Sequence, residues 1–354
     1  LGHETKNDKY DYMYGHMTNF ADPTNPEFSN AAQYQGLSSY SAEYALEGYF
    51  GKAEYNYANK YYLTASLRRD GSSKFHKDNR VGYFPSVSAG WNVHQEKWFQ
   101  NPVMSKLKIR ASYGELGANF LNPYNFDAIA YGPIPYTVGG ERYVTGRAAY
   151  LKSKDLKWET AKTTDIGIEL GFFNNDLTLS LDYFVKKNVD LLAQIDLNLS
   201  SGQIFEINSS REKPYVNTAS VKNTGWEFMM NYRKQLTKDF HIDATFNIAT
   251  LKNKVLSLGE NVQPITSGAM SSYFNDAASI TMPGEAIGSF YGYKIDGFDA
   301  EGNFIFADTD KNGVVNANDK VILGSPIPDF TYGLNINMEY KDFDLTVFFQ
   351  GVQG

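Results

Sequence analysis

The chain contains no cysteine among its 354 residues, and that absence removes thiolate catalysis, disulfide bridges, zinc ribbons and iron–sulfur ligation together. Positive charge is the minority sign: 33 Lys and Arg stand against 40 Asp and Glu, a net charge of −7, with an isoelectric point near 5.4. Affinity for nucleic acid comes mostly from clustered Lys and Arg neutralising phosphates, so a general polyanion binder is excluded. No apolar run approaches the roughly 18 to 20 residues of a membrane-spanning helix, and the mean hydropathy is −0.43. The five histidines, His3, His16, His76, His94 and His241, show no HExxH or other metal-ligand spacing. No GxSxG elbow is present either, so nothing marks an enzyme. The opening LGHETKNDKYDYMYGHM carries neither the basic start nor the apolar stretch of an export leader.

What is present is alternation. Phe240, Ile242, Ala244, Phe246 and Ile248 take one parity while His241, Asp243, Thr245 and Asn247 take the other, which a strand projects onto opposite faces. The same split sets Leu177, Leu179, Leu181, Tyr183 and Val185 against Thr178, Ser180, Asp182 and Lys186, and Leu107, Ile109, Ala111 and Tyr113 against Lys108, Arg110 and Ser112. Strands are predicted over 44–57, 59–70, 81–93, 105–117, 161–173, 176–187, 217–233, 239–252, 327–340 and 343–352. Most are longer than the 5 to 6 residues of an average soluble strand and match the roughly 9 to 11 of a tilted transmembrane one. Their polar parity is charged, as a wet interior tolerates and a dry sandwich core does not.

The connections carry the stronger inference. NYANK, FFNND, KQLTKD and YKDF have four to six residues and HQEKWFQNPVMS twelve, and these connections alternate with the segments 71–80, 118–160, 188–216 and 253–326, the last three of which run to 29 residues or more. An all-β antiparallel transmembrane barrel has short periplasmic turns at one rim and long extracellular loops at the other, whereas sandwiches and propellers give no reason for that rhythm. The aromatic content of 15%, with 26 Tyr and 24 Phe, suits the girdles of such a barrel. Residues 1–43 are expected to be an extracellular loop region leading into the barrel, and 44–354 a partial barrel.

Several stretches together resemble the barrel of SusC/RagA-family TonB-dependent transporters: ASLRRDGSSKFHKDNRVGYFPSVSAGWNVHQEKWF at 65–99, LKIRASYGELGA at 107–118, LKWETAKTTDIGIELGFFNNDLTLSLDYFVKKNVDLL at 156–192, VKNTGWEFMMNYR at 221–233 and GSPIPDFTYGLNINMEYKDFDLTVFFQG at 324–351. The resemblance implies an outer-membrane protein of a Bacteroidetes-like Gram-negative bacterium with about ten strands of a 22-stranded barrel. It also implies an N-terminal plug that is engaged by TonB and a SusD-like surface lipoprotein as lid. The plug, the TonB box and the remaining strands are not visible in this chain, which is expected to be an internal section.

Two sets of candidate site residues follow. DTDKNGVVNAND at 308–319 places Asp308, Asp310 and Asn312 at positions 1, 3 and 5 of an EF-hand-type loop. Gly313 takes the tight turn, the Val314 carbonyl falls at position 7, Asn316 at 9 and Asp319 at 12, a set of hard oxygen ligands suited to Ca2+. Val315 is expected to be the apolar anchor, whereas Asp in place of Glu at position 12 and the lack of flanking helices depart from the pattern. The alternative is a polar Asx-turn loop without metal. Tyrosines are dense in the outward loops: Tyr131, Tyr136, Tyr143, Tyr150, Tyr273, Tyr291 and Tyr293 offer stacking faces with a hydroxyl for substrate or lid contact, or pack the loops themselves. Lys186 and Lys187, with Arg68 and Arg69, are expected to mark strand ends at the extracellular interface.

The function expected is import of oligosaccharides or peptides across the outer membrane. Two readings stand beside it: a SusC-like barrel serving as structural partner in a secretion or surface assembly, and a soluble secreted glycan-binding β protein. The last requires the apolar strand faces to be packed against another layer.

Overall fold

Tyr57 faces Tyr61 across a three-residue hairpin loop in which Ala58 and Asn59 both adopt positive φ, 54° and 55°, and the Lys60 N–H donates to the Tyr57 carbonyl at 2.9 Å. Turns of this hand match the right-handed twist of the strands they join, and on the same side residues 173–176, 238–239 and 341–342 are similarly short links, with 93–103 the longer exception. The computed structural model describes residues 1–354 except 26, 124–129, 149–152, 195–205, 208–209, 212–214, 261 and 270–276; the side chains of 130–136, 144–148, 206–207, 210–211 and 269 also fall outside the description.

In chain order the strands are β1 (Gly2–Phe20), β2 (Ala31–Tyr57), β3 (Tyr61–Ser72), β4 (Val81–Asn92), β5 (Met104–Ala118), β6 (Ala130–Val138), β7 (Glu141–Ala148), β8 (Glu159–Phe172), β9 (Leu177–Gln194), β10 (Glu206–Ile207) and β11 (Ser210–Arg211). There follow β12 (Tyr215–Thr237), β13 (Phe240–Thr250), β14 (Lys252–Ser257), β15 (Ile265–Ala269), β16 (Ala277–Thr281), β17 (Ser289–Tyr293), β18 (Ile295–Phe298), β19 (Phe304–Phe306), β20 (Lys320–Gly324), β21 (Phe330–Tyr340) and β22 (Phe343–Gln353). No α-helix occurs among the described residues. One twelve-stranded sheet in the order β1-β2-β3-β4-β5-β8-β9-β12-β13-β21-β22, with β14 also on β12, forms the wall. Every pairing in it is antiparallel and between chain neighbours of the wall, as in an up-and-down barrel. β14 keeps the register of β13 on β12, Glu227 facing Ala249 and Thr224 facing Lys252, so the two are one strand interrupted at Leu251.

The ten expected strands are all present, with two corrections. Residues 1–43 are not a loop region: β1 pairs with β2 from Gly2 opposite Phe50 to Phe20 opposite Ala31. Alternation there is obscured by runs such as Tyr10–Met13, where both faces carry mixed residues, so the period of two is weak in the sequence. The strand expected to stop at 187 instead runs to Gln194, which places Lys186 and Lys187 inside β9 rather than at its end. The long segments 118–160, 188–216 and 253–326 hold hairpins of their own, β6-β7, β10-β11, the β15-β16-β17-β20 sheet and β18-β19.

The faces sort as the sequence requires. Leu63, Ala89, Ala111, Ile166, Tyr183 and Trp226 lie side by side across six strands. One residue along, Thr64, Ser88, Ser112 and Asp165 form a polar row on the other face. Leu63, Ile166, Leu181 and Trp226 are exposed, and among the described residues no helix or second sheet packs across that apolar face. Aromatic side chains bracket it: Tyr61 stacks on Trp91 at 6.3 Å at the short-turn end, and Tyr183 meets Trp226 at 4.7 Å toward the long loops. On β21, Tyr332 and Tyr340 are eight residues apart, about 26 Å along the strand, with Leu334, Ile336 and Met338 between them. A bare apolar band of that height between aromatic girdles is what hydrocarbon selects, and a soluble sandwich, whose apolar faces meet each other, is overturned.

Candidate functional site

The polar face of β5, β8 and β9 carries a charge network. Arg110 on β5 donates from Nη1 to Asp165 Oδ1 at 3.2 Å and lies 2.6 Å, through Nη2, from Asp182 Oδ1; its Nε is 3.4 Å from Glu169 Oε1. Glu169 in turn holds Lys106 at 2.7 Å, and Ser180 donates to Asp182 at 3.0 Å. The groups come from three adjacent strands because Arg110 faces Gly167, and Gly167 faces Asp182. A Cβ at Gly167 would fall 1.9 Å from Asp182 Oδ1, so the missing side chain is what lets the guanidinium reach across. Alternation placed Arg110 and Asp165 on this face, but the role of Asp182, two strands away, required the register. Thr64, Ser88, Arg110 and Asp165 border an open depression of about 630 Å³ on this wall.

Farther along the chain, β17 and β20 pair within the excursion between β14 and β21, and the acidic loop sits just before β20. Asp308, Asp310 and Asp319 come together with one carboxylate oxygen of each within 4.8 Å of the others. Asp308 accepts from the Asn312 and Gly313 N–H groups at 3.1 and 2.7 Å, and Gly313 has φ +89°, which only glycine adopts without strain. Asp319 is fully buried. Backbone N–H groups of Asn316, Asp310 and Thr309 hold its carboxyl below the usual range, so it stays ionised.

The remaining three candidates lie in the loop but point elsewhere. Asn316 caps the short 3-10 turn Ala317–Asp319, its Oδ1 accepting from Asn318 N at 2.9 Å. Asn312 Oδ1 accepts from Val314 N at 2.8 Å, and the Val314 carbonyl accepts from Asn316 Nδ2 at 3.0 Å. Val315 is 44% exposed; it packs into no core, because the loop is followed by a strand rather than by a helix that would cover it.

Of the tyrosines, Tyr143 is exposed and donates to Glu141 Oε2 at 2.9 Å. Tyr293 packs against Phe306 at 5.5 Å with the Lys320 ammonium 5.3 Å from its ring. Tyr291 faces Ile322 across the β17–β20 pair. Tyr131 and Tyr136 belong to the β6-β7 hairpin, but their side chains, and all of Tyr150 and Tyr273, lie outside the described residues. The structure therefore brings three acidic residues together; among the described tyrosine side chains, Tyr291 and Tyr293 share β17 and Tyr143 lies on the separate β6-β7 hairpin.

The family described as TonB dependent receptor-like, beta-barrel matches residues 1–353. The TonB-dependent receptor P3 of Formosa agariphila is 36% identical over 335 residues, covering 90% of this chain and 32% of that protein. The TonB-dependent receptor SusC of Bacteroides thetaiotaomicron is 32% identical over 338 residues, 89% of this chain and 32% of its own length. The chain thus spans about a third of the length of these relatives. Among solved structures, the RagAB peptide importer in its open-open state superposes with a TM-score of 0.82 at 22% identity, over 99% of this chain and 37% of that one. At that identity the likeness speaks for the fold alone.

Proposed function

The chain belongs to the TonB-dependent receptor β-barrel family, and from that premise we propose that it is part of the wall of an outer-membrane importer for oligosaccharides or peptides. The observation that carries this reading is one sheet with a bare apolar face and a charged opposite face, Arg110, Asp165, Glu169 and Asp182 among its residues. Such a wall separates hydrocarbon from a wet lumen. Movement through it would be powered from the inner membrane by TonB acting on a plug, with a SusD-like surface lipoprotein closing the mouth. Disruption of the receptor gene in its host is expected to abolish growth on one class of oligosaccharide or peptide as sole nutrient, and disruption of TonB to reproduce that defect. Unchanged growth on every such nutrient would refute import. Affinity purification of the full receptor is expected to recover a surface lipoprotein; recovery of large secretion subunits in its place would assign it a structural role.

The 308–319 loop is proposed to hold Ca2+. Asp308, Asp310 and Asp319 would supply charged oxygens, and the Val314 carbonyl with Asn312 and Asn316 would complete the set once their side chains turn from the hydrogen bonds described above. A hard cation there would screen three carboxylates that otherwise repel one another. Calorimetry on the full receptor at millimolar Ca2+ is expected to show saturable binding that Asp319→Asn weakens; no heat in the native receptor would refute the site.

A further inference from the structure

The apolar face of the wall ends, on the long-loop side, in a row of lysines that the sequence does not reveal. Lys162 on β8 faces Lys187 on β9, Lys187 faces Lys222 on β12, and Lys222 faces Lys254 on β14. Each of the first three lies four residues beyond Ile166, Tyr183 or Trp226 on its own strand, and an even offset keeps it on the apolar face. Lys254 likewise stands four residues beyond Thr250, and Lys252, on the same strand, points to the same side. The four ammonium-bearing residues span three strand spacings, about 14 Å.

Like charges directly opposite on neighbouring strands destabilise a sheet, and here four stand in succession. Lys162 alone is compensated, with Glu115 Oε1 at 3.2 Å; among the described residues Lys187, Lys222 and Lys254 make no ion pair. Glu285 and Asp329 line a depression beside Lys252 and Lys254 and pair with neither. Lys186, one residue from Lys187, points to the polar face. The row therefore sits above the Tyr183–Trp226 aromatic pair, at the outer-leaflet boundary, with its charge directed to the membrane rather than to the lumen. Lysine stems lie readily along apolar surface while the ammonium reaches the headgroup layer.

We propose that Lys162, Lys187, Lys222 and Lys254 form a binding site for the phosphate-bearing headgroup of an outer-leaflet glycolipid, which neutralises the row and fixes this side of the wall in the membrane. Phosphate is the chemistry that several closely spaced ammonium groups recognise as point charges. The site depends on the barrel standing in the outer membrane but not on what is imported, and its test reads lipid binding rather than uptake.

The full receptor is purified in detergent and titrated with lipid A, with chemically dephosphorylated lipid A, and with inorganic phosphate alone. Native receptor is expected to bind lipid A saturably and the dephosphorylated form at least about tenfold more weakly. The combined K187Q, K222Q and K254Q variant is expected to lose that preference, and K186Q to keep it. K222Q alone, expected to show a partial loss, serves if the triple variant no longer migrates as a folded barrel. Equal binding of both lipids by the native receptor would overturn the proposal, as would undiminished preference in a folded variant. Inorganic phosphate binding as tightly as lipid A would overturn the headgroup as its source. Loss of a co-purifying acidic protein with lipid preference unchanged would also overturn it, assigning the row to a protein contact.

Discussion

Gly225 occupies a place where a Cβ would lie 2.1 Å from the Thr250 carbonyl oxygen of the neighbouring strand and 2.7 Å from the Phe184 ring. A backbone oxygen held in the wall cannot retreat, so Gly225→Ala is expected to destabilise the barrel by about 1–3 kcal/mol, read as a lower urea midpoint of the purified receptor. The glycine is visible in VKNTGWEF, but its reason lies on another strand. Glu96, in a short turn, is a second such residue. Its carboxylate accepts from the Tyr61 hydroxyl at 2.6 Å, the Lys60 ammonium at 2.9 Å and the Trp91 indole N–H at 3.2 Å. These bonds hold its pKa at about 2, against 4.5 for the free side chain. Because the folded value is the lower one, the stabilisation is complete above about pH 4.5 and fades as pH falls through about 2. Glu96→Gln is expected to lower stability at neutral pH and to flatten the pH dependence between those values, in thermal unfolding scans of the two receptors.

At the scale of the strand, period-two alternation decides which changes matter. Ile336 lies midway between Tyr332 and Tyr340 on the apolar face, and Asn335, facing Thr245 and Phe348, lies on the other. A lysine facing lipid near the bilayer midplane costs about 2–4 kcal/mol, so Ile336→Lys is expected to cut the yield of folded barrel sharply. Asn335→Lys, one residue away and on the wet side, is expected to leave it near the native level. Fractions folded are compared by electrophoresis with and without heating. Equal effects of the two changes would contradict the assignment of the faces. Alternation is a weak guide where both faces are mixed: β1 carries no clear period of two, and β9 runs on past Lys186 and Lys187, charged residues that resemble a strand end in one dimension.

For the whole molecule, the excursion between β14 and β21 is a structured insert that touches the wall at β14, where the Val255 N–H donates to the Glu285 carbonyl and the Gly284 N–H to the Val255 carbonyl, while the seam between β13 and β21 forms without it. β13 already faces β21 from Phe240 opposite Tyr340 to Thr250 opposite Phe330. Replacing residues 264–326 with a short Gly-Ser linker is therefore expected to leave a barrel that still shifts on heating, while removing any calcium binding with the loop. A barrel that no longer folds would show that the insert holds the wall together.

Sequence alone determined that the chain folds into long strands with one apolar and one polar face, because a strand between two media must alternate to meet both; that the apolar face stays bare, as lipid requires, was decided by the tertiary structure. Sequence also set the direction of the wall, through short turns opposite long loops, and it placed the acidic loop at 308–319, since ligand spacing there is local. Only the tertiary structure decided which residues of different strands stand side by side. The Arg110–Asp182 contact across Gly167 and the lysine row from β8 to β14 depend on hydrogen-bond register. Register is a property of paired strands, and shifting one by a single residue would send each of these side chains to the other face.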